Sequence, residues 1–272
     1  MSNSAFRDSI VGSSITDTAE SCARFGLFSL SLFALRLTIL ALAGVALAAC
    51  DSSEEPSAPN APISQSQPSQ PGPQTKTPVP SGSGFDFYVL SLSWSPSYCE
   101  AEGRDANRQQ CAAGRPYAFV VHGLWPQFER GFPQDCRSDR PDVSDITLRS
   151  LYDIMPSAGL IRHQWRKHGS CSGLSQNDYF AVLREARERV QIPSAFSRLN
   201  SYRTVSPLNV EQSFVQSNAL LPEDGIAITC DKRYLREVRI CMTKQLEFRS
   251  CPEVDRRSCR MPKAVMPPVR GG

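Results

Sequence analysis

From Phe85 onward, large apolar residues recur in short blocks, and the spacing within each block predicts an element. Phe85–Trp94 is rich in aromatic and branched residues and alternates from Val89 to Ser93, so it reads as a strand stopped by Ser95-Pro96. Tyr117–Val121 is a second apolar run. It predicts a buried strand that delivers His122 at its end, where Gly123 and Pro126 turn the chain. Leu148, Leu151, Tyr152 and Ile154 follow a helical pattern up to Pro156, with Asp145 or Thr147 as cap. A second helix holds the Arg162–Cys171 segment. A third opens at Asn177 or Asp178, carries Phe180, Leu183, Ala186, Arg187 and Val190 on its periodic face, and ends before Pro193. Val210–Leu220 is a fourth helical stretch. Gly225–Cys230 and Leu235–Met242 read as strands of a sheet. Separated helices and non-alternating strands together argue for an α+β fold.

The N-terminal part has a different pattern. Residues 1–49 carry Arg7, Arg24 and Arg36, then an apolar run from Leu37 to Ala49. That run falls short of the roughly 20 residues that span a bilayer. It ends Leu47-Ala48-Ala49-Cys50, small residues before a cysteine, as a signal-peptide core and cleavage site do. The details resemble a bacterial lipobox, which makes Cys50 the expected lipidation site and mature N-terminus. An ordinary secretory signal is the competing reading. The apolar run begins late, so translation could also start downstream of Met1. Residues 51–84 are Ser, Pro, Gln and Gly with almost no large apolar side chain, and such a segment predicts a disordered, extended tether. Residues 85–261 then form one domain with enough chain for a core, and 262–272 read as a loose tail. The expected location is the bacterial envelope or periplasm, lipid-anchored, or otherwise secreted.

Eight of the ten cysteines lie in the domain: Cys99, Cys111, Cys136, Cys171, Cys230, Cys241, Cys251 and Cys259. An even number behind a signal peptide predicts disulfides. Zinc is disfavoured because no pair has CxxC spacing. A net charge of +3 is only mildly basic and says little about partners.

The chemistry concentrates in two segments. The chain's three histidines are His122, in Val121-His122-Gly123-Leu124-Trp125-Pro126-Gln127, and His163 and His168, in Arg162-His163-Gln164-Trp165-Arg166-Lys167-His168-Gly169-Ser170-Cys171. With an unperturbed pKa of about 6.5, imidazole both gives and takes protons near neutrality, so two of them can supply a general acid and a general base. On a helix Gln164 and His168 share a face, as do His163 and Lys167. A zinc-protease pattern fails, because His163 and His168 are five apart with no acidic residue between them. A serine hydrolase is disfavoured because Ser170 lies in no Gly-x-Ser-x-Gly elbow. A histidine merely hydrogen-bonded in the core is the bland alternative.

These two segments closely resemble the active-site segments of the ribonuclease T2 family of acid endoribonucleases. The resemblance extends from the opening strand to the four C-terminal cysteines. It implies a disulfide-stabilised fold with a central antiparallel sheet and flanking helices. It also implies cleavage of single-stranded RNA by transphosphorylation through a 2′,3′-cyclic phosphate, without metal or cofactor and by a monomer. By that resemblance His168 is the base, His122 the acid, His163 a phosphate-binding imidazole, and Lys167 steadies the phosphoryl charge. Trp125, with Trp94 as a second candidate, offers a surface for stacking bases; core packing is the competing reading for Trp94 and Trp165. Four disulfides are expected: Cys99–Cys111, Cys136–Cys171, Cys230–Cys259 and Cys241–Cys251. The second would clamp the loop after Trp125 to the end of the His168 helix, and the last two follow the family's nested arrangement. One position departs from the pattern. Gln164 stands where the family usually has Glu, and an amide cannot share a proton or raise a neighbouring imidazole's pKa by its charge. It can still donate an N–H to a phosphate oxygen. The expectation is reduced or pH-shifted activity. The alternatives are a catalytically weakened RNA-binding or toxin-neutralising module, and an anchored structural protein that keeps only the fold.

Overall fold

The computed structural model describes residues 78–136, 139 and 141–270. Cys50, the signal-like segment and the tether as far as residue 77 lie outside the described residues. The elements run β1 (Phe87–Trp94), α1 (Ser95–Glu102), α2 (Arg108–Cys111), β2 (Phe119–Gln127), α3 (Asp145–Arg149), α4 (Ala158–Lys167), α5 (Gln176–Glu188), β3 (Arg203–Val205), α6 (Pro207–Ser217), β4 (Ile226–Cys230), β5 (Leu235–Met242), α7 (Pro252–Asp255) and β6 (Ala264–Met266). Strands β2-β1-β5-β4 form one antiparallel sheet in that order, while β3 and β6 form a separate antiparallel pair. The fold is α+β, a central antiparallel sheet flanked by helices.

Strand β1 sits inside the sheet and is covered on both faces, which is why its sequence is almost continuously apolar. Successive side chains of a strand alternate between faces. Tyr88, Leu90, Leu92 and Trp94 therefore join the main core, with Tyr179 and Leu183 of α5 and Val210 and Phe214 of α6. Phe87 and Val89 point the other way, into a small cluster with Cys241 and Cys251 that is edged by Trp125 and Val254. That second face carries the site.

Helix α4 starts where the Ser157 hydroxyl accepts the Leu160 N–H, a cap worth about 1 kcal/mol. Ile161 and Trp165, four residues apart, turn its apolar stripe inward. Ser175 caps α5 in the same way, through the Asp178 N–H. The Tyr179 hydroxyl of α5 then donates to the Leu124 carbonyl at 2.8 Å, fixing the helix to β2.

Four disulfides close within the domain: Cys99–Cys111, Cys136–Cys171, Cys230–Cys259 and Cys241–Cys251. Cys136–Cys171 joins the loop after β2 to the turn after α4, and the Asp135 N–H reinforces it by donating to the Lys167 carbonyl at 2.9 Å.

Several sequence expectations are corrected. Strand β2 does not stop at Val121 but runs on to Gln127. It is an edge strand, so Pro126, which lacks an N–H, costs it no ladder bond on the open side. Helix α3 ends at Arg149; beyond it the Ile154 carbonyl is taken by the Val121 N–H at 2.8 Å, drawing that segment toward β2. The boundaries of the domain also move outward. At the tether's end, Val79 packs on the core and the Ser83 N–H donates to the Ser172 carbonyl at 2.9 Å. The presumed loose tail is a working part of the fold. Met266 in β6 is fully buried, and the Pro267 carbonyl accepts the Trp94 indole N–H at 3.0 Å. A buried indole needs an acceptor, and the tail supplies it.

Candidate active site

One irregularity in β2 aims the first histidine. Against β1, Ser91 pairs with Gly123 and Leu92 with Val121, so His122 is an extra, unpaired residue. Such a bulge shifts the strand's alternation by one. Phe119 and Val121 before it and Leu124 after it all reach the main core, while His122 and Trp125, three residues apart, share the opposite face.

Helix α4 supplies the other wall. His163, Gln164 and Lys167 lie on its last turns, and His168 is its C-cap, with its backbone N–H still donating to the Gln164 carbonyl at 3.0 Å. Gly169 follows so closely on the Trp165 and Tyr179 rings that a side chain there would collide with both. His122, Trp125, His163, Gln164, Lys167 and His168 all line one cavity of about 300 Å³.

Trp125 organises this cavity. Its ring lies 5.4 Å from that of His122, edge-on, and 5.4 Å from that of His168. Its indole N–H donates to Gln164 Oε1 at 2.7 Å, joining strand to helix. Gln164 is almost wholly buried, so its oxygen is committed and the amide nitrogen is the atom left to meet an incoming acceptor. Trp94 and Trp165 are instead buried in the main core, which removes Trp94 as a stacking surface.

The histidines differ in electrostatic setting. Burial pushes the His168 pKa down to about 3, helped by the positive charge of Lys167 and then by His122 and His163. Its Nδ1 is buried without a hydrogen-bond partner. A neutral ring is therefore favoured, with Nε2 as the nitrogen able to reach a ligand. His163 is more open, and its pKa is lowered by desolvation, then by Lys167, Arg166 and His122, against a smaller opposing effect of Asp135. His122 instead bonds through Nδ1 to the carboxylate of Glu237. Glu237 is 8% exposed and takes two further bonds from the Arg239 guanidinium, at 2.7 and 3.0 Å. Burial opposes its ionisation, but the His122 bond and charge and then Arg239 prevail and hold its pKa at about 2.

Sequence reasoning missed Glu237 and Arg239, although the signal was present: two charges alternating with Val238 and Ile240 in a largely buried strand. A second cavity of about 230 Å³ shares His122 with the first and is lined also by Glu237, Ser93, Gln110 and Ser157. Among the described residues, no three His, Cys, Asp or Glu side chains gather to hold a metal ion.

Comparison with known proteins agrees with this arrangement. A model of the Ribonuclease T2 family matches residues 85–251, both histidine segments included. The chain belongs to the ribonuclease T2 family. A ribonuclease of Aeromonas hydrophila is 36% identical over 194 residues, covering 68% of this chain and 87% of that protein. Ribonuclease I of Escherichia coli is 27% identical over 199 residues, covering 57% of this chain and 74% of that one. Among solved structures, an RNase-related protein from Calystegia sepium shares the fold with a TM-score of 0.57 at 21% identity, over 69% of this chain and all of that one. The RNase MC1 variant Y101A, solved with 5′-UMP, has a TM-score of 0.54 at 23% identity, over 67% of this chain and 98% of that one.

The tightest approach in this T2-family site is at Gly123. A side-chain carbon there would meet Gln164 Oε1 and Trp125 Nε1 at once. Gly123→Ala should therefore part the strand from the helix at the Trp125–Gln164 bond. The expected result is a fall in kcat/KM of about tenfold or more, since misplacements of about 1 Å can cost 10²-fold, with a destabilisation of about 1–3 kcal/mol from overpacking. Wild-type kinetics in a folded Gly123→Ala protein would show that this contact does not set the site.

Proposed function

We propose that this T2-family endoribonuclease cuts single-stranded RNA by transphosphorylation, with His168 as base and His122 as acid and no metal in the step. His168 takes the proton of a ribose 2′-hydroxyl, and that oxygen bonds to the adjacent phosphorus. The bond from phosphorus to the 5′-oxygen of the next nucleoside breaks, and His122 protonates the departing oxygen. The products are a 2′,3′-cyclic phosphate and a free 5′-hydroxyl. DNA lacks the attacking oxygen.

The observation that carries this reading is the contrast between two imidazoles that Trp125 holds apart in one cavity. His168, desolvated and beside a cation, is held unprotonated, the state in which a base must start. His122 is bonded through Nδ1 to an ionised carboxylate, which leaves its Nε2 toward the cavity. Lys167 and His163 line the same cavity, where cations or N–H donors stabilise charge growing on the phosphoryl oxygens. Trp125 and the two cavities on either side of His122 give room for the nucleosides flanking the scissile phosphate. The same features favour an active enzyme over a weakened RNA-binding module, because the Gln164 amide keeps its bond to Trp125 and both proton carriers remain.

The N-terminal reading stands beside this one. Leu47-Ala48-Ala49-Cys50 supports lipidation at Cys50, with the following Ser/Pro/Gln-rich residues as a spacer between membrane and domain. Cys50→Ser should move the protein from the membrane to the soluble fraction; identical partition of variant and wild type would refute the anchor.

Variants at the cavity test the mechanism. His122→Ala and His168→Ala should each lower kcat/KM by about 10²–10⁴-fold, and Gln164→Ala by less. Gln164→Glu places a negative charge beside His168 and so favours its protonated form. The base must be unprotonated to act, so the acidic limb of the pH–rate profile should move to higher pH in this variant. An inactive wild type with an active Gln164→Glu would favour the weakened module, and equal activity in all variants would place the chemistry elsewhere.

A further inference from the structure

Beside His122, strand β5 holds an ion-paired array to which the proposed proton transfers assign no part. Glu237 and Arg239 stand two residues apart on one face of β5, where strand geometry places their side chains next to each other. Glu237 divides its carboxylate between two partners: Oε1 faces His122 Nδ1, and Oε2 takes both guanidinium bonds of Arg239. The Arg239 guanidinium also lies 5.1 Å over the Trp125 ring, so the array runs from the aromatic platform back to the acid.

We propose that Glu237 and Arg239 are positioning residues that set the charge and tautomer of His122, the carboxylate strengthening its hold on a proton and the guanidinium limiting how far. The proposal rests on the acid role assigned to His122 above. A proton on Nδ1 shared with Glu237 leaves Nε2 toward the cavity, and the ionised carboxylate stabilises the imidazolium that must exist before the leaving oxygen is protonated. The other charged or titratable groups that line the first cavity with His122 are cations or imidazoles. His163, Lys167 and His168 face it from α4, and Arg239 faces it from β5. Across the second cavity, Arg236 lies between two carboxylates, Glu102 at 3.4 Å and Asp231 at 3.0 Å. Arg257, after α7, lines the first cavity but is bound to Glu253 at 2.7 Å.

Arg239 has the opposite effect. Its charge repels an imidazolium and drains the carboxylate that would hold one. The pair therefore behaves as a graded control: loss of Glu237 lowers the proton affinity of His122, and loss of Arg239 raises it. A purely structural ion pair would destabilise the fold when broken but would not move the titration in two directions.

The test is an NMR titration of the imidazoles in wild type, Glu237→Gln and Arg239→Met. The chain has three histidines, so each ring can be assigned by loss of its signal in the matching variant. Glu237→Gln should lower the His122 proton affinity about tenfold or more, equivalent to one pH unit, and Arg239→Met should raise it measurably. In kinetics, Glu237→Gln should lower kcat about 10–100-fold with little change in KM, and the alkaline limb of kcat/KM should move to lower pH. Arg239→Met should move that limb to higher pH. Unchanged His122 midpoints in both folded variants would overturn the proposal. A midpoint that moves while the alkaline limb stays would overturn it too, by removing His122 as the acid. A wild type that does not cut RNA would instead refute the functional reading, while the NMR midpoints would still decide whether the pair governs His122.

Discussion

The bulge that leaves His122 unpaired in β2 shifts the strand's alternation by one residue, and the placement of the site follows from that shift. Val121 and Leu124 both reach the main core, which fixes the strand against β1. His122 and Trp125 are thereby forced onto the face that β5 supplies with Glu237 and Arg239. A regular strand would have sent one of the two side chains into the core. The fold tolerates the irregularity because β2 is an edge strand, and because α5 and α4 grip it through the Tyr179–Leu124 and Trp125–Gln164 bonds.

From this geometry comes the difference between the two imidazoles. His168 ends α4 in a buried position, next to a lysine and without a carboxylate. His122 projects from the sheet onto an ionised one. One fold thus gives one residue type two electrostatic settings, with burial and a cation against a proton on the first ring and a carboxylate bonded to the second. Gln164 belongs to the same balance. A buried glutamate there would place a negative charge beside His168, whereas the amide accepts the Trp125 indole N–H and adds no charge.

Much of this was legible in the residues. The sheet strands follow from alternation at Val89–Ser93 and from the apolar runs at 226–230 and 235–242, and the helices from their periods, though Ser144 and Ser175 cap α3 and α5 in place of the expected Asp145 or Thr147 and Asn177 or Asp178. The two histidine segments were identified by their dense, unusual composition and by their resemblance to one family. What was not legible depends on contacts distant in sequence. Nothing within 119–127 marks a bulge, because the extra residue exists only relative to β1. Glu237 lies 115 residues from His122, and only the strand order β2-β1-β5 brings them within reach. The tail looked loose because it is short and rich in proline. Its role comes from a buried indole N–H 173 residues away that donates to the Pro267 carbonyl.

The central claim is that two imidazoles, unaided by a metal, drive attack of a ribose hydroxyl on its own phosphate. It is tested most directly by incubating the protein with single-stranded RNA in EDTA and determining the chemistry of the new ends at early times. The account predicts undiminished cleavage, 2′,3′-cyclic phosphate and 5′-hydroxyl ends, and no cleavage of DNA of the same sequence. Loss of activity in EDTA, 5′-phosphate ends, or equal cleavage of DNA would contradict it.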